Sequence, residues 1–454
     1  MSDTLLRLPL QVVHERFLLG TLSPVTYLDA FLQRIDLCER DVRAFTHLDT
    51  GRLHDAARQS AARYASRNAL SDLDGIPVGI KDIIDTADMP TGYGSRAFVE
   101  HQPRYDAACV RALRAGGAIL AGKTVSTEFA YGASGPTTNP HDSRRSPGGS
   151  SSGSAAAVGA GMLPLALGTQ TLGSILRPAS FNGIVGFKPS YGALSLAGIH
   201  PMAVSLDHLG ILANDVSSAW LAATTLSRIA GPTPGYRGLV EAPDASPLSS
   251  RRPRTLIHLT LSAWDELSAD EKDTLTSTIV RLRELGVKVL DKSNDARVAA
   301  IELVLDGSLD DAIGIIDFEM RHPYTEYVAL HGDLVSDTVH NGVARSVQMT
   351  NHQYAELLGR RDAGRDAVDA LLRDTQADGF VLPAASGAAP LGLAYTGSRA
   401  YLTYWSWLGF PAISLPLLKA ESMPWGLQIA HGRQQDLALI EVAKWFEQQW
   451  KTAS

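Results

Sequence analysis

After Ser23-Pro24, apolar residues recur at Leu28, Phe31, Leu32 and Ile35. That spacing predicts an amphipathic helix over 24–39, capped by the serine and opened by the proline. A more polar helix is expected over 52–66, with Ala56, Ala57 and Ala61 as its small face. At Gly75 the texture changes to an unbroken apolar run, Ile76-Pro-Val-Gly-Ile80, which predicts a buried strand ending at Lys81-Asp82. Residues 106–117 read as a helix stopped by Gly116-Gly117, followed by a strand over 118–121. Ser154 opens a helix of very small side chains, and Leu163-Pro-Leu-Ala-Leu167 is the next strand. Further on, a strand over 254–261 precedes a helix over 268–285. That helix has a Ser268/Glu271 capping box, a stripe at Leu275, Ile279, Leu282 and Leu285, and Gly286 as its stop. A strand over 287–290, a polar helical stretch over 300–375, short strands from Phe380 and a closing helix over 436–450 complete the pattern. Strand–helix–strand succession predicts an α/β fold: one large mixed, mostly parallel twisted sheet with helices on both faces.

Residues 132–154 are rich in Gly, Ser, Thr, Asn, Asp and Pro, which marks a loop. Lying between two well-patterned halves, it is expected to be ordered and functional. The chain has 454 residues, 45% hydrophobic and 20% charged, with a net charge of −7. This composition excludes disorder and disfavours a nucleic-acid partner bound through a basic surface. No segment approaches the length of a membrane helix, and the charged, proline-containing start lacks the apolar core of a signal peptide. Two cysteines, Cys38 and Cys109, supply neither a disulfide framework nor a four-ligand zinc site. A reducing, cytoplasmic setting is the expectation, with no membrane partner.

Three segments carry the chemistry: Lys81 at a strand end, Ser146-Pro-Gly-Gly-Ser150-Ser151-Ser152-Gly153-Ser154, and Gly168-Thr-Gln-Thr-Leu-Gly-Ser174. A desolvated lysine can activate a serine, because burial disfavours the ammonium form. A turn of Thr171, Leu172, Gly173 and Ser174 can aim several N–H groups at one point, with Gly173 supplying a conformation other residues avoid. Two rival motifs read poorly. Gly149 to Gly153 spells the G-x-S-x-G nucleophile elbow but follows a loop instead of a strand. Gly117 to Thr124 spells a phosphate-binding loop, yet its centre is apolar and strand-like.

Taken in order, these segments resemble the amidase signature family. The likeness runs through Gly122-Lys-Thr-Val-Ser-Thr-Glu128-Phe129-Ala130, Asn139-Pro140, the Gly/Ser loop, Gly173-Ser174, Arg177-Pro-Ala, Gly183 to Pro189 and Ser205-Leu-Asp207. It resumes at Gly409 to Ser414 and Trp425-Gly-Leu-Gln428. The resemblance implies the amidase signature fold as one domain over 1–454. Its parts are a helical segment over 1–70, a signature core over 71–220, a variable region over 221–380 and a core-completing segment over 381–454. It further implies a Ser–Ser–Lys relay: Ser174 as the acyl-forming nucleophile, Ser150 after a cis peptide bond as the proton carrier, and Lys81 as the base. Residues 171–174 would receive the oxyanion, and Tyr131 lies in the region where the family places pocket residues. No metal or cofactor is implied. The reading is an amidohydrolase cleaving a small carboxamide. The alternatives are the amidase subunit of a tRNA-dependent amidotransferase, or an inactive binding relative. A homodimer is the favoured oligomer.

Departures from the family pattern sit at Gln170, Leu172 and Leu176, with Arg177 one place late, as if one interaction had been exchanged for another. Leu172 is expected to narrow the pocket and Ser152 to face solvent. Tyr131, Trp405, Trp407 and Trp425 are candidate acyl-pocket walls, with the core as the stronger reading for each. Glu128, Asp207 and His208 are expected to be structural, the segment Phe187-Lys188-Pro189 to anchor the chain, and both cysteines to be inert.

Overall fold

The apolar runs come together in one sheet. The computed structural model describes residues 3–239 and 248–451, so Met1 and Ser2 of the opening segment lie outside the described residues. Its strands are β1 (Phe45–His47), β2 (Pro77–Lys81), β3 (Ile119–Thr124), β4 (Leu165–Gln170), β5 (Val185–Lys188), β6 (His208–Ala213), β7 (Thr255–His258), β8 (Lys288–Leu290), β9 (Phe380–Pro383), β10 (Ala412–Ala420) and β11 (Met423–Ala430). They lie in the order β1-β3-β2-β4-β6-β5-β10-β11-β9-β7-β8.

The sheet is mixed, and the expectation of mostly parallel pairing needs correction. β2 runs parallel to β3 and β4, and β7 to β8 and β9. Every other pairing is antiparallel. Helical crossovers such as Ala108–Ala115, Ser152–Gly159 and Ala269–Glu284 return the chain for parallel pairing. Elsewhere the chain turns back directly: Glu421 and Ser422, both with positive φ, form the two-residue hairpin between β10 and β11.

Local signals hold well. Ser23 caps a helix over Pro24–Val42 by accepting from the Thr26 N–H, and the Ser268/Glu271 capping box opens Ala269–Glu284. The small-residue helix Ser152–Gly159 packs on β2 and β4. Its Gly153 is required by close approach, since a Cβ there would lie 2.2 Å from the Ala44 carbonyl oxygen and 2.4 Å from the Val125 nitrogen. Helix Val216–Ala230 covers β5 and β6. The stretch over 300–375 is five helices, from Ala296–Asp306 to Asn351–Thr375, forming an excursion outside the sheet. Trp405, Trp407 and Trp425 are fully buried core residues.

Candidate active site

β2 and β4 are adjacent and parallel, with Val78 opposite Leu165 and Ile80 opposite Leu167. Their carboxyl ends therefore open at the same edge of the sheet, the usual place for a ligand in such folds. Lys81 is the last residue of β2, and the turn 171–174 follows β4 directly. The Gly/Ser loop enters from the side and is pinned there. Asn139 Nδ2 donates to the Phe181 carbonyl (2.9 Å), Asn182 Nδ2 to that of Pro147 (2.7 Å), and the Ser146 N–H to that of Pro390 (2.9 Å). The Gly149–Ser150 peptide bond is cis.

Lys81 is completely buried, and its Nζ lies 2.7 Å from Ser150 Oγ, 2.7 Å from Thr169 Oγ1 and 3.5 Å from the Thr169 carbonyl oxygen. Burial holds its pKa well below the ordinary lysine range, and the negative field of Asp207 opposes this only in part. A neutral amine donates twice and accepts once. The two Thr169 oxygens can take both donated hydrogens, which leaves the lone pair for the Ser150 hydroxyl.

Ser150 and Ser174 line one cavity of about 410 Å³, together with Thr171, Leu172, Tyr131 and Arg177. The described hydrogen bonds join Lys81 to Ser150 but do not join Ser150 to Ser174. The backbone N–H groups of residues 171–174 make no hydrogen bond among the described residues. They are donors left free at the cavity wall.

Gln170 holds that turn open, a role the sequence reading missed. Its Oε1 accepts from the N–H of Ile175 (2.9 Å) and Leu176 (3.1 Å), and its Nε2 donates to Ser406 Oγ (3.1 Å). The joint departure at 170 and 176 was the available signal: Leu176 is buried in the core, and an uncharged carboxamide does the bracing. Arg177 is buried and reaches elsewhere. It donates to the carbonyls of Gly149 (2.7 Å), Gly397 (2.7 Å) and Ser398 (3.2 Å) and to Thr396 Oγ1 (3.1 Å). Burial and the neighbouring Arg399 push its pKa down to about 9.

Asp207 is structural in its contacts. It accepts from Thr171 Oγ1 (2.5 Å) and from the N–H groups of Met202 (2.9 Å) and Ala203 (3.1 Å), while burial raises its carboxyl to about 7. Glu128 accepts from Ser95 Oγ (2.9 Å) and the Ser336 N–H, tying the core to the excursion. Lys188 donates to the carbonyls of Phe410 (2.5 Å) and Pro189 (3.2 Å), as an anchor would. Cys109 is buried, with its thiol raised to about 12.

Three expectations are corrected. Ser152 is buried, with its hydroxyl donating to the Val125 carbonyl (3.3 Å) rather than facing solvent. Gly173 does not have a positive φ; a Cβ there would meet Leu402 Cδ1 at 2.6 Å, so packing demands the glycine. Of the aromatic candidates, Tyr131 alone lines the cavity, with its hydroxyl 2.8 Å from Arg345 Nη2. Of the rival motifs, Ser151 donates to the Thr169 carbonyl (3.2 Å) behind a loop, and residues 119–124 are strand β3. The excursion adds Leu309, Ile313 and Thr338 to the cavity wall.

The family model described as Amidase matches residues 26–440. The chain belongs to the amidase family. Among curated members of that family, it is similar to a glutamyl-tRNA(Gln) amidotransferase subunit from Chloroflexus aggregans, with 43% identity over 245 residues. That match covers 52% of this chain and 50% of the relative, so this amidase-family chain spans about half the length of the curated relative it matches. A crystal structure of an amidase superimposes with a TM-score of 0.84 at 28% identity, covering 98% of this chain and 100% of the other. The peptide amidase from Stenotrophomonas maltophilia gives a TM-score of 0.79 at 25% identity, covering 98% and 97%. No helix among the described residues is long and apolar enough to cross a membrane.

Proposed function

We propose that this amidase-family chain hydrolyses a small carboxamide through Lys81, Ser150 and Ser174, working as a single unit without metal or organic cofactor. The observation that carries the reading is the 2.7 Å contact between a buried, pKa-depressed Lys81 and Ser150, in a cavity that Ser174 also lines.

In this reading neutral Lys81 accepts the Ser150 proton, Ser150 accepts that of Ser174, and Ser174 Oγ attacks the amide carbonyl. The tetrahedral oxyanion lies against the free N–H groups of 171–174, which need no reorganisation to receive it. The relay then returns the proton to the leaving nitrogen, the C–N bond breaks, and an acyl-Ser174 ester remains. Water attacks that ester, passes its proton back along the same route and releases the acid. Substrate binding closes the last gap, between Ser150 and Ser174, as catalytic hydrogen bonds often do.

The likeness to the amidotransferase subunit favours a second reading, in which the ammonia released is passed on by a larger assembly. Ammonia release from a panel of amides, with Ser174→Ala as the blank, tests the hydrolytic reading. Purified chain that releases ammonia at a serviceable rate with no second protein supports it. Release that depends on a co-purifying chain turns the assignment to the transferase.

A further inference from the structure

The cavity that holds Ser150 and Ser174 is lined by two guanidinium groups, Arg177 and Arg399, and by no aspartate or glutamate. That is unexpected in a chain of net charge −7. Arg177 is only 3% exposed. All its hydrogen bonds go to neutral oxygens, and its Nε is buried with no partner. Arg399 is half-buried and makes neither an ion pair nor a side-chain hydrogen bond among the described residues. Burying a charge is costly unless an opposite charge meets it, and placing a second like charge beside it adds to the cost. Other arginines of the chain avoid this. Arg63 is paired with Asp74 at 2.6 Å, Arg345 with Asp317 at 2.8 Å, and Arg360 with Asp311 at 2.7 Å. The exception occurs in the wall of the reacting cavity, one helical turn after the nucleophile.

We infer that the amide substrate carries a carboxylate close to its scissile bond, and that Arg177 and Arg399 receive it. Arg177, fixed by the carbonyls of Gly149 and Gly397, is the immobile half of the receptor. Arg399, on a loop without regular structure, supplies a guanidinium fork to the other side of the anion. One turn of helix between Ser174 and Arg177 limits the separation of carboxylate and amide to a few bonds, so the substrate class is the short amide-acid. Peptide-length amides would need the same space for neutral chain.

This inference deepens the hydrolytic reading, and its test is arranged so that the two fail separately. Straight-chain dicarboxylates of three to six carbons and their neutral diamides are titrated calorimetrically into the Ser174→Ala protein, where turnover plays no part. The expected result is at least about tenfold tighter binding of one dicarboxylate than of its diamide. Adding Arg399→Gln removes most of that preference, and because Arg399 is half-buried the variant keeps its fold. In the active protein, a monoamide of the preferred acid has a kcat/KM about a hundredfold above that of its ω-methyl ester. Equal binding of dicarboxylate and diamide, or a preference untouched by Arg399→Gln, overturns the inference. Persistent turnover in Ser174→Ala with the carboxylate preference intact overturns the relay and leaves the inference standing.

Discussion

The signature core and the helical excursion contribute to one cavity by different means. The core presents buried polar groups fixed by short contacts: Lys81 against Ser150 and Thr169, Gln170 against the turn, Asp207 against Thr171. The excursion presents Leu309, Ile313 and Thr338, side chains that shape space and exchange no protons. A buried hydrogen-bonded network tolerates little change, because any lost partner leaves an unsatisfied group, whereas an apolar wall can be resized at modest cost. Reaction and selectivity are thereby written in separate stretches of one chain.

The sharpest way to break this comparison is Ser174→Ala. It should lower kcat by about 10³-fold or more while far-UV circular dichroism and Tm stay at the parent values. Lys81→Ala comes next, with a loss of about 10²–10⁴-fold, since the dry relay has no other base. Its pH signature has a definite sign. Depression of the Lys81 pKa keeps the amine neutral to lower pH than an ordinary lysine, so parent activity falls on the acid side as Lys81 takes up a proton. Asp207→Asn removes a negative charge that favours the ammonium. The acid limb of kcat/KM therefore moves to lower pH, and a shift to higher pH would contradict the electrostatic account.

Gln170→Leu probes the brace. Uncapping the N–H groups of Ile175 and Leu176 should cost about 1–3 kcal/mol of stability, read by urea unfolding, and roughly tenfold in kcat. The smallest effects belong to the excursion. Leu309→Ala or Ile313→Ala should change the ratio of kcat/KM between two acyl lengths by about three- to tenfold, with the pH profile unmoved. An excursion variant as damaging as Lys81→Ala would erase the division between the two regions.

Lys81, Ser150 and Ser174 were legible because each sits in a locally distinctive run: an apolar strand ending in a charge, a Gly-Gly-Ser loop, a Gly-Ser turn after a strand. The excursion was legible as helix but not as cavity wall, since polar helices carry no record of which face meets the sheet. Gln170 was visible as an oddity, but its two backbone partners depend on a turn geometry that residue types do not encode. Ser152 misled because a hydroxyl in a helix beginning reads as solvated, while close packing against Val125 buried it. Strand direction was the weakest inference. Nothing in the runs at 185–188 or 412–430 says that these strands meet side by side, far from their neighbours along the chain.

That last arrangement bears on how the protein is made. Among the described strands, β10 and β11 are the last to leave the ribosome, yet they occupy the middle of the sheet, between β5 and β9. Until they arrive, the nascent chain holds two half-sheets with unpaired inner edges, each a template for unwanted association. A product ending shortly before Ala412 would keep all three relay residues and still be two open halves, so premature termination should yield aggregate and no enfeebled enzyme.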